Sequence, residues 1–341
     1  MSDTVRLLRE RIDGLPRVRL AHLPTPLDAC ARVSAQLGPT IWVKRDDCTG
    51  LAFGGNKVRQ HEFVLADAIA QGADCVIQGS ASQSNHSRQL AAAGAKLGLD
   101  VFLLPKLDAM SDPVQGNYLV SNLLGASIEP IGMQESTKLR KEELAAKLVA
   151  QGRRPYVVGM GATRSLVLAT VAYVAALLEI VDALGPDNPP DWIFTTSQGS
   201  TQAGLQLGCE ALGLSTKIVG INPLDARHEA YQQPEEIAGF ARGAAQLLGV
   251  TTAITAADIV NSTDYVGESY GVPSEAGIAA MRTLAAAEGI LLDPIYSGKG
   301  FAGLIDFCRR GVVEPGDRVV FLHTGGLPAL FSYAADLVPA R

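Results

Sequence analysis

Short apolar runs alternate along this chain with longer segments whose apolar residues recur at helical spacing. The runs are rich in Val, Ile, Leu and Phe with little polar alternation, which is typical of strands buried on both faces of a parallel sheet. The predicted strands are 41–44, 75–79, 101–105, 128–131, 156–158, 192–195, 218–221 and 319–323. The predicted helices are 57–70, 87–97, 114–124, 138–151, 166–184, 201–212, 274–288 and 301–309. This strand–helix alternation predicts an α/β fold.

Length and composition sharpen that prediction. The chain has 341 residues, and at roughly 100–200 residues per domain it should form two domains or one large α/β unit. Its 35 glycines exceed the average usage of about 7%, which favours a fold with many strand-to-helix turns. The segment 185–191 contains three prolines and is predicted to end one structural unit.

Charge and cysteine usage exclude several classes of protein. The net charge is −6 without a basic cluster, which argues against a nucleic-acid partner. The start of the chain lacks the apolar core of a secretory signal, and no uncharged apolar run reaches the length of a membrane span. The five cysteines show no CxxC spacing, so a cytoplasmic protein without disulfides or a zinc site is expected. His61, His86 and His323 lie in or beside polar motifs, but their spacing indicates no metal site.

Lys57 follows two glycines at the predicted start of a helix. The positive end of a helix dipole gives a lysine no stabilisation, and nearby positive potential lowers an amine's pKa. Lys57 is therefore a candidate for imine formation with a carbonyl group. The alternative is a solvated lysine after a turn.

Two polar loops directly follow predicted strands, where open α/β sheets bind ligands. The loop 80–88 carries Ser84, which could move a proton, and Asn85, which could donate to an anionic oxygen, although both could simply cap the next helix. The loop 195–204 is small, polar and Gly-containing at a helix start, which indicates a phosphate cradle. A plain turn is the alternative there. Tyr270 and Tyr296 lie in two further polar loops, and each taken singly could be structural.

Together and in this order, the motifs resemble those of the pyridoxal-phosphate (PLP) enzymes of the D-cysteine desulfhydrase and 1-aminocyclopropane-1-carboxylate (ACC) deaminase family. The resemblance runs from about residue 22 to residue 330. It rests on the sequences VKRDD at 43–47, GGNKVR at 54–59, QSNHSRQLAAAGAKLGL at 83–99, STQAGL at 200–205, YGVPSEAG at 270–277, LLDPIYSGKGFAGLID at 291–306 and HTGGLPALF at 323–331.

The resemblance implies a tryptophan-synthase-β-like fold with two open, twisted, mostly parallel sheets flanked by helices. A large PLP-binding domain would comprise 1–59 and 169–341, and a small domain would comprise 60–168. A homodimer acting on a small amino acid is also expected.

The resemblance also assigns roles to the matching residues. Lys57 matches the lysine that binds PLP covalently, Asn85 the partner of the cofactor's 3′-oxygen, and Ser84 a serine beside the substrate carboxylate. Tyr296 matches a tyrosine packed against the cofactor ring, and Tyr270 a second active-site tyrosine. The phosphate loop runs through Ser197, Gln198, Gly199, Ser200, Thr201 and Gln202.

Two positions bear on the reaction. ACC deaminases resemble one another in carrying Glu and Leu where this chain has Ser297 and Thr324. A carboxylate would keep the pyridine nitrogen protonated, whereas a neutral hydroxyl leaves the ring a weaker electron sink. The expected reaction is therefore β-elimination, with D-cysteine giving pyruvate, ammonia and sulfide. The alternatives are L-cysteate sulfo-lyase, ACC deaminase, which Ser297 and Thr324 disfavour, and a non-catalytic small-molecule-binding protein.

The chain also departs from the family pattern. Gln60 and His61 replace a basic and an aliphatic residue, and the segment 158–165 lacks an expected Gly-Gly-Ser-like turn. Such changes bear more on the substrate than on the cofactor. Arg88, Arg164 and His61 are the candidates for contact with a sulfonate, and each could equally be a surface or helix residue.

Overall fold

The computed structural model describes residues 2–107, 111–159 and 161–338, and its strands form two sheets. The strands are β1 (Leu27–Ala29), β2 (Thr40–Arg45), β3 (Cys75–Ala81), β4 (Asp100–Lys106), β5 (Ser127–Ile128), β6 (Pro155–Val157), β7 (Trp192–Thr196), β8 (Lys217–Ile221), β9 (Val260–Ser262) and β10 (Arg318–His323). The six-stranded sheet has the order β1-β2-β10-β7-β8-β9, and the four-stranded sheet has the order β5-β4-β3-β6.

Strand pairing is parallel except between β1 and β2. Trp192–Thr196 is buried along its whole length, as expected for a strand covered on both faces. The predicted α/β class and the two mostly parallel sheets are confirmed.

Helices cover the sheets. They are α1 (Ser2–Asp13), α2 (Ala31–Leu37), α3 (Asn56–Ala70), α4 (Asn85–Leu97), α5 (Gly116–Leu123), α6 (Thr137–Ala150), α7 (Thr163–Leu184), α8 (Ser200–Leu212), α9 (Pro234–Leu248), α10 (Glu275–Glu288), α11 (Ser297–Arg309), α12 (Leu327–Ser332) and α13 (Ala334–Leu337). Each predicted helix is found, with its ends shifted by no more than about one turn.

Some elements were not predicted: α1, α2, α9, α12, α13, β1 and β9. The strands β1 and β9 have three residues each, too few for a periodicity to register.

The helix α7 is the centre of the largest hydrophobic cluster. It packs against α3, α8 and α9. It has 22 residues and is apolar enough to cross a membrane by length and composition alone, but 67% of its most apolar window is buried inside the protein. Within the described residues, α7 is therefore the core helix that joins the two sheets.

A buried network of charges fixes α3 against α7 and the end of β2. The Arg59 guanidinium donates to both oxygens of Asp46, at 2.9 and 2.8 Å, and to Glu179 at 2.7 Å. Lys44 donates to the same Glu179 at 2.7 Å, and the Tyr173 hydroxyl donates to Asp46 at 2.7 Å. Burial alone would raise the pKa of Glu179, but Arg59 and Lys44 hold it below its usual range.

The predicted domain division follows the sheets but cuts two helices. The four-stranded sheet lies within 60–168, and the six-stranded sheet is drawn from both ends of the chain. The limits at 59/60 and 168/169 fall inside α3 and α7, which pack on each other. The division into a large and a small domain stays a prediction.

We expect Arg59→Leu to lower the free energy of unfolding by about 3–5 kcal/mol, because it leaves Asp46 and Glu179 buried without their main partner. Urea unfolding of the chain measures this change. Arg153→Leu is the matched control: Arg153 pairs with Asp100 near the surface, and the loss there should be only about 0–1 kcal/mol. Equal losses in the two variants would contradict the assigned role of the network.

Candidate active site

The polar loops that follow β3, β7 and β10 meet the start of α3 around one cavity of about 280 Å³. This is where parallel α/β sheets place their ligands, at the carboxyl ends of the strands. The predicted site residues that line the cavity are Lys57, Ser84, Asn85, Ser197, Gln198, Gly199, Ser200, Thr201, Tyr270, Tyr296 and Thr324. The fold therefore brings together residues that are up to 267 positions apart, from Lys57 to Thr324.

A tight glycine turn positions Lys57. Gly54 has φ of 65°, and a Cβ there would lie 2.0 Å from the carbonyl oxygen of Asp47, so no other residue fits. The buried guanidinium of Arg88 donates to the carbonyls of Ala52 and Gly54 and braces the turn. The backbone N–H of Asn56 donates to the carbonyl of Thr324 at 3.0 Å, which ties the start of α3 to the loop after β10.

The Lys57 amine is prepared for covalent chemistry. Burial lowers its pKa from 10.5 to about 8. Its Nζ has no hydrogen-bond or ion-pair partner within residues 2–107, 111–159 and 161–338. A neutral fraction of the amine is therefore present near pH 7, as a nucleophilic lysine requires.

Asn85 and Ser84 lie at the N-terminus of α4. The Asn85 Oδ1 accepts from the Asn117 Nδ2 at 2.8 Å, which fixes the amide and leaves its own Nδ2 to donate into the cavity. Ser84 is the N-cap of the helix, and its Oγ accepts from the backbone N–H of Ser87 at 3.1 Å. Capping and function, which were alternatives in the sequence, are thus compatible for Ser84.

The loop between β7 and α8 has the features of an anion cradle. The Ser197 Oγ accepts from the backbone N–H groups of Gly199 and Gln202 and bends the loop. Gly199 has φ of 153°, and a Cβ there would lie 3.2 Å from the Phe240 ring. The backbone N–H groups of Ser200 and Thr201, at the positive end of α8, donate to no atom in the described part of the chain. Free amides at a helix start bind phosphate.

Gln60 supports this cradle. Its Nε2 donates to the Ser200 and Thr201 hydroxyls at 3.3 and 3.2 Å, which aligns both hydroxyls along the loop. The sequence flagged Gln60 only as a departure from the family pattern. Its one signal was the spacing of three residues from Lys57, which places both side chains on one face of α3.

The two tyrosines meet in the cavity. The hydroxyls of Tyr270 and Tyr296 form a hydrogen bond, and their rings lie edge to face with centroids 6.1 Å apart. Burial raises the pKa of Tyr296 well above its usual value, so the phenol stays protonated. The buried Lys299 donates to the carbonyl of Val266 at 2.6 Å and also to that of Ser269, which holds the loop before Tyr270.

Ser297 and Thr324, predicted as a pair, have different surroundings. Thr324 lines the cavity, and its hydroxyl has no partner among the described residues. Ser297 is fully buried outside the cavity lining, and its hydroxyl donates to Asp293 at 2.6 Å. Asp293, just before α11, takes up the serine hydroxyl, and a role of Ser297 towards the cofactor stays a prediction.

The three candidates for a sulfonate contact also separate. Arg88 is buried, and its guanidinium donates to the Gly54 carbonyl in the glycine turn and to the Asn117 side-chain oxygen. Arg164 is 61% exposed and pairs with Asp67. His61 alone of the three lines the cavity. The segment 158–165 reaches the cavity through Val158, Gly159 and Ser165, and Met160 lies outside the described residues.

These groups fit a phosphorylated aldehyde. The cradle supplies amide donors for a phosphate, the Asn85 amide supplies a donor for a ring oxygen, and Lys57 supplies a reactive amine. No cluster of three or more His, Cys, Asp or Glu suited to a metal occurs among the residues that the structure describes.

Comparison with known families decides which aldehyde. A family model described as pyridoxal-phosphate-dependent enzyme matches residues 18–325. The chain belongs to the family of pyridoxal-phosphate-dependent enzymes. The resemblance that the motifs indicated is confirmed, and PLP is the cofactor of this enzyme family.

Curated relatives extend the match over nearly the whole chain. A D-cysteine desulfhydrase of Salmonella typhi is 40% identical over 326 residues, covering 93% of this chain and 96% of the relative. A D-cysteine desulfhydrase of Klebsiella pneumoniae (strain 342) is 38% identical over 338 residues, covering 96% and 99%.

Solved structures agree on the fold. A structure described as an ACC deaminase homologue has a TM-score of 0.86 at 34% identity and covers 97% of this chain and 98% of its own. Threonine deaminase isoform 2 from Solanum lycopersicum has a TM-score of 0.64 at 16% identity, covering 96% and 85%. The second likeness bears on the fold alone, which is that of the PLP enzymes.

We expect the apoenzyme to capture added PLP covalently at a rate that rises with pH and reaches a plateau. The midpoint of the rise should lie near pH 8, the pKa of Lys57. The reason is that only the deprotonated Lys57 amine reacts, and burial lowers its pKa. Stopped-flow absorbance of the bound cofactor, with borohydride trapping, measures the rate. A rate that keeps rising towards the ordinary lysine value of 10.5 would contradict the shift.

Proposed function

We propose that this chain is a β-eliminating lyase that acts on a small amino acid, with D-cysteine as its first substrate, giving pyruvate, ammonia and sulfide. The observation that carries the proposal is a Lys57 amine and a Thr324 hydroxyl that have no partner among the described residues and lie beside a phosphate cradle. The curated relatives named above are D-cysteine desulfhydrases.

Binding and orientation are the first task of the site. The amides of Ser200 and Thr201 would hold the phosphate, Asn85 would donate to the ring oxygen, and the Lys57 amine would be the point of covalent attachment. When bound, PLP supplies an electron sink for the electrons released at the substrate's α-carbon. Ser84, whose backbone and hydroxyl mark the start of α4, lies where helix-end amides favour the substrate carboxylate.

Proton movement is assigned to two groups. Lys57 Nζ, with its pKa lowered to about 8, is basic enough to take the α-proton and neutral enough to do so near pH 8. The Ser84 hydroxyl is the second candidate, since its oxygen accepts from the backbone N–H of Ser87 and its own proton has no acceptor in the described part of the chain. Tyr296, which stays protonated and touches Tyr270, is suited to donate a hydrogen bond near the departing group.

The choice between elimination and ring opening is assigned to Ser297 and Thr324, which stand where ACC deaminases carry Glu and Leu. A carboxylate in place of Ser297 would stabilise a protonated pyridine nitrogen, and the neutral hydroxyls of Ser297 and Thr324 do so less. The buried Asp293 carboxylate cannot substitute for it, because it accepts from the backbone N–H groups of Ile295, Tyr296 and Ser297 and from the Ser297 hydroxyl. A weaker electron sink favours expulsion of a good leaving group such as sulfide over opening of a cyclopropane.

A second candidate activity is L-cysteate sulfo-lyase, in which sulfite leaves. It is favoured by one observation, namely that His61 faces the cavity where an aliphatic residue is usual in the family. We further propose that the chain forms a homodimer, as the family resemblance implies. Its five free cysteines support a cytoplasmic location.

We expect the holoenzyme to release sulfide and pyruvate from D-cysteine faster than sulfide from L-cysteine, sulfite from L-cysteate or 2-oxobutyrate from ACC. Colorimetric sulfide and sulfite assays, with chromatography of the keto acids, identify each product. Lys57→Ala should abolish both product release and the borohydride-reducible cofactor adduct, whereas Lys96→Ala, at an exposed position of α4, should leave both unchanged.

The other possible outcomes point to a different activity or contradict the substrate proposal. Sulfite as the main product would identify the activity as that of an L-cysteate sulfo-lyase. 2-Oxobutyrate as the main product would identify it as that of an ACC deaminase. A holoenzyme that converts none of the four compounds would leave the cofactor assignment intact and show the substrate proposal to be wrong.

A further inference from the structure

His61 is a buried imidazole that the proposed mechanism does not use. It lies on α3 one turn after Lys57, and side chains four residues apart share a helix face at about 5–6 Å. Its side chain is 1% exposed and lines the cavity. Neither ring nitrogen makes a hydrogen bond in the described part of the chain.

The surroundings of His61 keep it uncharged. Burial lowers its pKa to about 3, the Lys57 amine adds to the lowering, and the backbone of His86 offsets only part of it. The His86 ring lies beside it, with centroids 5.0 Å apart and planes at 34°, and burial lowers the pKa of His86 as well. A neutral imidazole carries one donor and one acceptor, so the cavity wall offers both.

An unpartnered polar side chain in this position is costly. A buried donor or acceptor without a partner loses its hydration and gains nothing in return. The nearby wall is largely apolar, with Val64, Val158 and Leu166 among its residues. The cost is recovered when a ligand in the cavity supplies the missing partner.

Several other polar groups of the cavity already have partners or assignments. Lys106 and Thr137 contact Glu229, and the Gln78 side-chain oxygen accepts from the Ser87 hydroxyl. The phosphate cradle lies at α8, the Asn85 amide and Ser84 lie at the start of α4, and Gln60 is bound to the cradle hydroxyls. An amino-acid substrate whose α-amine meets Lys57 would place its side chain on the face of α3 that carries His61.

We propose that His61, backed by the His86 ring, is a specificity-determining residue that hydrogen-bonds a polar β-substituent of the amino-acid substrate. The inference rests on the proposed function for the class of substrate. It predicts a preference for substituents with oxygen or amide groups, such as sulfonate or carboxamide, over apolar groups of the same size. An aliphatic side chain at this position would confer no such preference.

The test compares two unreactive ligands of similar shape on the holoenzyme. Asparagine carries a carboxamide on its β-carbon and leucine an isopropyl group, and neither has a leaving group there. Titration of the cofactor absorbance with each enantiomer gives the dissociation constants. In His61→Leu, the ratio of the leucine constant to the asparagine constant should fall about tenfold, the equivalent of one lost hydrogen bond.

Three further variants make the result specific. His61→Gln keeps a donor and an acceptor and should retain part of the preference. His22→Leu makes the same substitution at an exposed imidazole outside the cavity lining and should change neither constant. If His61→Leu does not take up cofactor, His61→Met provides the apolar side chain in a more flexible form.

Two outcomes would overturn the inference. Two unchanged dissociation constants would mean that His61 is satisfied without the substrate side chain. An equal weakening of both ligands, which also leaves the ratio unchanged, would make it a cofactor-positioning residue. These binding ratios do not depend on turnover, so they can be read even if the holoenzyme fails to release sulfide from D-cysteine. Failure of the inference and failure of the proposed function are therefore distinguishable.

Discussion

The buried ion network around Arg59 is the constraint on which the site depends. Arg59 lies two residues after Lys57 on α3, and its guanidinium is held by Asp46 at the end of β2 and by Glu179 on α7. Buried charges are tolerated only when their partners are complete. The network therefore fixes the rotation and height of α3, and with them the position at which Lys57 enters the cavity. The glycine turn and Arg88 add the second restraint, since they set the path of the chain into the helix.

Hydrogen bonds within the protein also position the polar groups of the cavity. Several groups that are proposed to bind the cofactor are held on one side by the protein and have no partner among the described residues on the other. The oxygen of the Asn85 amide is bound by Asn117 while its nitrogen is free to donate. The Ser197 hydroxyl shapes the loop whose Ser200 and Thr201 amides remain available. Groups preorganised in this way need little rearrangement when the cofactor and substrate bind. His61 extends the pattern, because it is held by packing and open at both ring nitrogens.

Asp293 and Thr324 differ in whether their side-chain oxygens are already hydrogen-bonded within the protein. The Asp293 carboxylate is fully buried but is consumed by the helix start at α11, where it accepts from three backbone N–H groups and the Ser297 hydroxyl. A carboxylate at a helix N-terminus stabilises the helix. The cavity wall then carries the neutral Thr324 hydroxyl, and in the proposed function this neutrality weakens the electron sink of the bound cofactor.

The sequence by itself determined the α/β class, the main strands and helices, and the loops that carry Lys57, Ser84, Asn85 and the phosphate cradle. These are local properties: apolar runs of strand length, helical spacing, and glycine-containing turns after strands. Resemblance of seven ordered motifs then added the family and the cofactor. Only the tertiary structure decided which polar groups are already bound and which are open. The Arg88 guanidinium is bound by partners distant in the sequence and the Ser297 hydroxyl by the nearby Asp293, whereas Gln60 and His61 line the cavity. Burial and hydrogen-bond partners depend on how α3, α4, α8 and α11 pack together, and residue spacing along one chain does not encode that packing.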